Sequence, residues 1–141
     1  MQAVFSLAFV LGVLVAITIA GGPPSEEKKK IIDECKAQEK ATDDDVQQLM
    51  SHKLPNGPNG KCFLACINEK TGVIKDGKIN GDMLKANILK ENGGNEKAAG
   101  SVNEMVAECQ GINNPQRCEL AFQLMDCMMK SYAKYGNPKQ M

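Results

Sequence analysis

The residues of this sequence with the most distinctive chemistry are six cysteines, two of which lie close together. Cys62 and Cys66 are separated by three apolar residues, a spacing of one helical turn. Their side chains would point the same way from one helix, but their Cα atoms stand on the same rod, so each favours a different partner. The spacing therefore predicts a central helix bound to two neighbours. The other cysteines are Cys35, Cys109, Cys118 and Cys127.

An even number of cysteines in a short exported chain most simply forms disulfides. Cys118 and Cys127 would lie about 13 Å apart along a shared helix, so neither this pair nor Cys62 with Cys66 can close. Several pairings stay open after these exclusions. Zinc binding is the competing chemistry, but the sequence has no CxxC pair and its only histidine is His52. We therefore expect no metal site.

Residues 3–20 form an apolar run that has no charged side chain and ends at Thr18-Ile19-Ala20. Such a run is typical of a secretory signal peptide with its cleavage site. A membrane anchor is the alternative, because the run nearly reaches spanning length and no cationic side chain precedes it. Its position and the cysteine count favour export. We expect residues 1–20 to be a signal peptide and residues 21–141, beginning at or near Gly21, to form a secreted, extracellular domain without stable membrane insertion.

Charge and histidine content argue against several classes of function. The 17 Lys and Arg residues balance the 17 Asp and Glu residues, so the chain lacks the basic excess that nucleic-acid binding requires. His52 lies beside Lys53, with no nucleophile motif around it. The sequence therefore predicts no nucleic-acid partner, no catalytic residue and no cofactor, and we do not expect an enzyme.

The elements that must position the cysteines are all predicted to be helices. Caps and apolar periodicity place six of them, at residues 25–40, 42–50, 61–71, 81–90, 96–110 and 115–133. Ser25 and Thr42 are predicted N-caps, Gly72 a left-handed C-cap, and Pro115 the first residue of the last helix. Residues 54–60 contain Pro-Asn-Gly twice and are predicted to be a loop. The fold class is therefore all-α, with no strand of useful length.

Residues 76–82 bear some likeness to a calcium-binding loop. Asp76 and Asn80 fit ligand positions, but Lys78 occupies a third, and Asn87 stands where a glutamate should close the site. We therefore interpret the segment as a turn that leads into a helix.

Methionine is frequent on the faces predicted to point inward. Its flexible thioether can adapt to apolar guests of different shape, although plain core filling is the simpler interpretation. Three disulfides, each contributing about 3 to 4 kcal/mol, would let such a chain tolerate an internal hole. The predicted inward methionines are Met50, Met83, Met105, Met125 and Met128.

The intervals between the cysteines are 26, three, 42, eight and eight residues. This pattern, which spans the whole chain after the apolar run, resembles the six-cysteine signature of insect odorant-binding proteins. The resemblance implies a compact, disulfide-stapled bundle of six helices around an apolar cavity. It also implies a particular disulfide pairing. The implied pairs are Cys35 with Cys66, Cys62 with Cys118, and Cys109 with Cys127.

Proteins of this family carry small hydrophobic molecules such as odorants and pheromones and catalyse no reaction. The resemblance therefore implies a small hydrophobic ligand, with a membrane chemoreceptor or a second copy of the chain as further candidate partners. With His52 alone and a short tail, we do not expect a strong histidine switch for ligand release. The alternative is a secreted helical interaction protein with a solid core, such as a salivary, toxin-like or signalling protein.

For a ligand cavity we predict a lining drawn from the apolar faces of the helices, with Phe63 the residue most expected to face the ligand. The predicted lining is Leu49, Met50, Phe63, Ile67, Leu84, Ile88, Met105, Val106, Phe122, Met125 and Met128. Because the family's segment after the last cysteine often folds over the pocket, Tyr132 and Tyr135 are the candidates for a polar contact with the ligand.

Overall fold

The computed structural model describes residues 25–94 and 98–136, so the predicted signal peptide lies outside the described residues. Within the described ranges the chain forms six helices and one short hairpin. The helices are α1 (Glu26–Glu39), α2 (Asp43–Met50), α3 (Pro58–Lys70), α4 (Gly81–Glu91), α5 (Ala99–Cys109) and α6 (Arg117–Tyr135). The strands are β1 (Ile74–Lys75) and β2 (Lys78–Ile79). The predicted all-α class and the number of helices are confirmed.

The predicted N-caps of the first two helices are also confirmed. The Ser25 side chain accepts a hydrogen bond from the backbone N–H of Lys28. Thr42 and Asp45 form a reciprocal capping box, in which each side chain accepts from the other residue's backbone N–H. These contacts satisfy N–H groups that the first turn of a helix leaves without a partner.

Two helices begin at places that the sequence analysis did not predict, and a proline is involved each time. Helix α3 begins at Pro58, three residues before the predicted start, because proline needs no backbone donor in a first turn. Helix α6 begins at Arg117 instead of 115. There the Asn114 Oδ1 atom accepts from the Gln116 N–H at 2.9 Å, which holds the chain in a turn around Pro115.

The segment tested as a calcium loop is an antiparallel hairpin, with Ile74 opposite Ile79. Its two turn residues, Asp76 and Gly77, both have positive φ, at 52° and 73°. This is the conformation that the tightest hairpin turns require, and Asp-Gly is a favoured sequence for it. The turn before α4 was predicted, whereas the strands on either side of it were not.

The disulfides connect the helices into one frame around α3, which packs against α1, α2, α6 and β1. Cys35–Cys66 joins α1 to α3, Cys62–Cys118 joins α3 to the start of α6, and Cys109–Cys127 joins α5 to α6. This is the pairing that the family resemblance implies. Helices α2 and α4 contain no cysteine, so only non-covalent contacts and the chain itself hold them to the frame.

The loops that the bridges close overlap along the sequence. Their ends are 31, 56 and 18 residues apart, so each bridge contributes about 3 to 4 kcal/mol in the chain-entropy account. Together they stabilise the fold by about as much as the whole net stability of a typical domain. In residues 25–94 and 98–136, no helix combines the length and the apolar character needed to cross a bilayer.

Candidate ligand-binding site

The largest apolar cluster lies where α4, α5 and α6 meet, and we call it the α4–α6 cluster. Helix α5 contributes a stripe at i, i+3, i+4 and i+7, so one face of this helix is apolar along its length. The buried members are Val73, Leu84, Ile88, Ala98, Val102, Met105, Val106, Cys109, Leu124 and Met128. Partly buried side chains pack around them, namely Ile79, Leu89, Ile112, Cys127, Tyr132 and Tyr135.

Two smaller clusters fill the other side of the bundle. The α1–α3 cluster has as its buried members Ile32, Cys35, Ala41, Phe63 and Cys66. The α3–α6 cluster has as its buried members Leu64, Ala65, Ile74, Leu120 and Ala121. The three residues between Cys62 and Cys66 are therefore divided between two clusters, with Phe63 facing α1 and its two successors facing α6.

The structure distributes the predicted lining residues over all three clusters. The α4–α6 cluster includes Leu84, Ile88, Met105, Val106, Met128, Tyr132 and Tyr135. The α1–α3 cluster includes Phe63 and, at its edge, Leu49 and Ile67. Met125 and again Leu49 pack against the α3–α6 cluster. Phe122 is partly buried, with its ring 4.4 Å from the Lys61 ammonium.

Two of the methionines predicted to point inward are exposed, so those predictions were wrong. Met50 is 47% exposed. It is the last residue of a short helix whose Val46 and Leu49 make the inward contact, which leaves the next position on the outer side. Met83, 38% exposed, lies in the first turn of α4 and covers the outer surface of Gly72.

Several buried residues were absent from the predicted lining. Val102 and Leu120 are fully buried, and Leu124 lies one turn after Leu120. The spacing of Leu120, Leu124 and Met128 at i, i+4 and i+8 is a helical stripe that could have identified this face of α6. Ser131 is buried too, although no apolar pattern would have predicted a buried serine.

A polar network closes one end of the α5–α6 pair, and it includes one of the two tyrosines. The Tyr135 hydroxyl donates to Glu108 Oε1 at 2.6 Å, and the Lys134 ammonium donates to the same oxygen. Ser131 donates to Glu108 Oε2 at 3.1 Å. These hydrogen bonds, with that from Lys134 the largest contribution, lower the pKa of Glu108.

The other tyrosine has a different environment. Burial, with a smaller effect from the Glu91 carboxylate, raises the pKa of Tyr132 to about 12. At neutral pH this side chain is therefore an uncharged hydroxyl against the apolar cluster, able to donate and to accept one hydrogen bond. The arrangement provides an apolar interior with a polar group at its edge.

The outside of α1 carries a surface groove of about 340 Å³ lined by charged side chains, including Glu26, Lys30 and Glu34. Its chemistry does not suit an apolar guest. Among residues 25–94 and 98–136, no cluster of His, Cys, Asp or Glu side chains could hold a metal ion. The α4–α6 cluster is therefore the candidate site.

The fold and this cluster define a small helical protein, held by disulfides, whose interior suits an apolar guest. The chain belongs to the PBP/GOBP family, which matches residues 24–131. It is 29% identical to general odorant-binding protein 19d of Drosophila melanogaster over 139 residues, which covers 93% of this chain and 91% of the relative.

Solved structures of odorant-binding proteins share the fold. The odorant-binding protein dmelOBP28a from Drosophila melanogaster superposes with a TM-score of 0.71 at 24% identity, covering 79% of this chain and 93% of the other. A pheromone-binding protein from the cockroach Leucophaea maderae, in complex with the fluorescent reporter ANS, superposes with a TM-score of 0.60 at 29% identity. That match covers 74% of this chain and 92% of the cockroach protein.

Proposed function

We propose that this protein is a secreted carrier that binds small hydrophobic molecules, such as odorants or pheromones, among the residues of the α4–α6 cluster. The observation that carries the proposal is that cluster itself, an apolar interior with two buried methionines in a bundle of the PBP/GOBP family. Relatives named as odorant-binding and pheromone-binding proteins support it. We infer that the protein acts by binding and release and catalyses no reaction.

Binding would be driven by removal of the guest's apolar surface from water, at about 25 cal/mol per Å². Met105 and Met128 can change rotamer at little cost, so they could make room for guests of different shape. A single hydrogen bond would then fix the orientation of a guest that has one polar group.

The proposal includes the route by which the protein reaches its place of action. Residues 1–20 would be removed as a signal peptide, which leaves a domain that begins at Gly21. Delivery to a membrane chemoreceptor and pairing of two copies are further parts of the hypothesis. Mass spectrometry of protein secreted from insect cells would give the first residue of the mature chain.

The carrier function can be tested with N-phenylnaphthylamine, an uncharged apolar dye whose fluorescence rises in apolar surroundings. We expect the oxidised protein to bind it with micromolar affinity and varied apolar volatiles to displace it. Absence of binding by the dye and by all the volatiles would contradict the proposal and favour the interaction protein with a solid core.

A matched pair of methionine variants tests the location of the site. Met105→Leu changes a buried wall of the cluster, whereas Met50→Leu makes the same change on the surface. Such a swap costs less than about 1.5 kcal/mol of stability, so both variants should fold. We expect Met105→Leu to change dye affinity by about threefold or more, equal to roughly 0.7 kcal/mol, and Met50→Leu to leave it unchanged. Equal affinities would place the dye elsewhere.

A further inference from the structure

The two tyrosines at the edge of the α4–α6 cluster differ in how their hydroxyls are used. Tyr135 donates to Glu108 at 2.6 Å, so its hydrogen is already committed. In the described part of the chain, the Tyr132 hydroxyl has no protein hydrogen-bond partner, although its ring packs against the cluster. A hydroxyl in this position can still bind a polar atom of a guest.

A second polar atom without a partner lies at the same end of the bundle. Asn92, the C-cap of α4, donates through its side-chain amide to the Ile88 carbonyl at 2.6 Å. Its Oδ1 atom is buried and has no hydrogen-bond partner. A buried acceptor without a donor is costly and calls for an explanation, and a donor supplied by a guest would satisfy it.

The charges at this end of the bundle indicate which guests are excluded. Glu91 precedes Asn92 in the sequence, and its carboxylate acts on Tyr132. The nearby ammonium of Lys28 is bound to Glu91 at 2.7 Å, and that of Lys134 is bound to Glu108. A carboxylate guest would meet one carboxylate and find these two cations already paired, so its desolvation would not be compensated.

From this arrangement we propose that the cluster selects uncharged apolar alcohols, whose hydroxyl accepts from Tyr132 and donates to Asn92 Oδ1. An alcohol suits both groups because one oxygen both accepts and donates a hydrogen bond. The inference rests on the proposed carrier function and adds the chemical class of the ligand.

Competition against N-phenylnaphthylamine with four guests of equal chain length tests the proposal. Dodecanol can use both protein groups, its methyl ether can use only Tyr132, dodecane can use neither, and dodecanoate carries the excluded charge. We expect dodecanol to bind most tightly, the ether to be weaker, and dodecane and dodecanoate to be weakest.

Two tyrosine variants make the test specific. Loss of one hydrogen bond should weaken dodecanol binding by roughly three- to tenfold in Tyr132→Phe, with dodecane and dye affinities unchanged. Tyr135→Phe is the matched control and should bind dodecanol like the unchanged protein.

Each contrary result has a distinct meaning. Equal dodecanol affinity in Tyr132→Phe and the unchanged protein would overturn the role of Tyr132, and an ether that binds as tightly as dodecanol would overturn that of Asn92. Dodecanoate binding as tightly as dodecanol would overturn the selection against carboxylates. In these cases dye binding would persist and the carrier function would stand, whereas loss of all binding in the unchanged protein would refute the carrier function itself.

Discussion

Glu108 is the residue that connects α5 to the last turns of α6. Its carboxylate accepts hydrogen bonds from Ser131, Lys134 and Tyr135, all of which favour the ionised form. The pKa of Glu108 in the folded protein is therefore lower than in the unfolded chain. Its contribution to stability is fully present above the unfolded pKa and is lost as the pH falls through the folded pKa.

The Glu108→Gln variant tests this contribution. We expect the variant to be less stable than the unchanged protein at neutral pH, and the difference to shrink as the pH falls from about 7 to about 3. Denaturant unfolding at a series of pH values measures it. Glu104→Gln, an exposed position one turn earlier in the same helix, is the control. A difference that is constant with pH, or equally large for Glu104→Gln, would contradict the assignment.

Residue-level predictions succeeded where the information is local. Ser25 and Thr42 could be recognised as caps because each interacts with residues two or three positions away. The partners of Glu108 are 23 to 27 residues distant, and a helical pattern does not reveal which glutamate meets which lysine. Met50 was placed inside for a related reason, since periodicity identifies an apolar face but not where the neighbouring helix stops covering it.

At the level of elements, α4 differs from its neighbours because it has no covalent attachment to the frame. Its inward residues Leu84 and Ile88 pack in the α4–α6 cluster. On the outside it is connected to α1 by the Lys28–Glu91 ion pair, in which both side chains are about half exposed. Exposed ion pairs of this kind contribute about 0 to 1 kcal/mol, so α4 is the wall of the candidate site that can separate at least cost.

Hydrogen exchange of the oxidised protein should reveal this difference. We expect amides in the middle of α4 to exchange faster than those in the middle of α3, which two disulfides hold. A bound apolar guest should slow exchange in α4 more than in α3. Uniform exchange across both helices, or slowing confined to α3, would show that α4 does not open to admit the guest.

The type of each helix could be predicted, but some boundaries and the hairpin could not. Helices α3 and α6 shifted because proline is compatible with both a turn and a first helical turn, and the choice depends on contacts such as Asn114 to Gln116. Strands of two residues are too short to show an alternating pattern. Asp76-Gly77 was the available signal, since this dipeptide favours the positive φ angles of a tight hairpin.

For the whole molecule, the three bridges compensate for a core that is divided into clusters. Each contributes about 3 to 4 kcal/mol, so complete reduction removes about as much free energy as a small domain has to spare. We expect full reduction to abolish dye binding before, or together with, loss of the helical circular-dichroism signal. Dye affinity that is unchanged after complete reduction would contradict the stapled site, and reoxidised protein that regains binding serves as the control.

The overall architecture was the most predictable property of this chain. The cysteine intervals, which span almost the whole described region, imply both the six-helix fold and its pairing. The position of the ligand is less accessible from sequence, because the apolar stripes supply three clusters and only the packed structure shows which side chains belong to each. Phe63 illustrates this, since it lies in the α1–α3 cluster, opposite the candidate site.

The overlap of the three disulfide loops also determines how the protein responds to proteases. Every peptide bond between Cys35 and Cys127 lies inside at least one loop, because each bridge begins before the preceding one ends. A single cut anywhere in that interval, even in the unattached α4, leaves both fragments covalently joined. A molecule of this kind can be nicked in extracellular fluid and still remain in one piece.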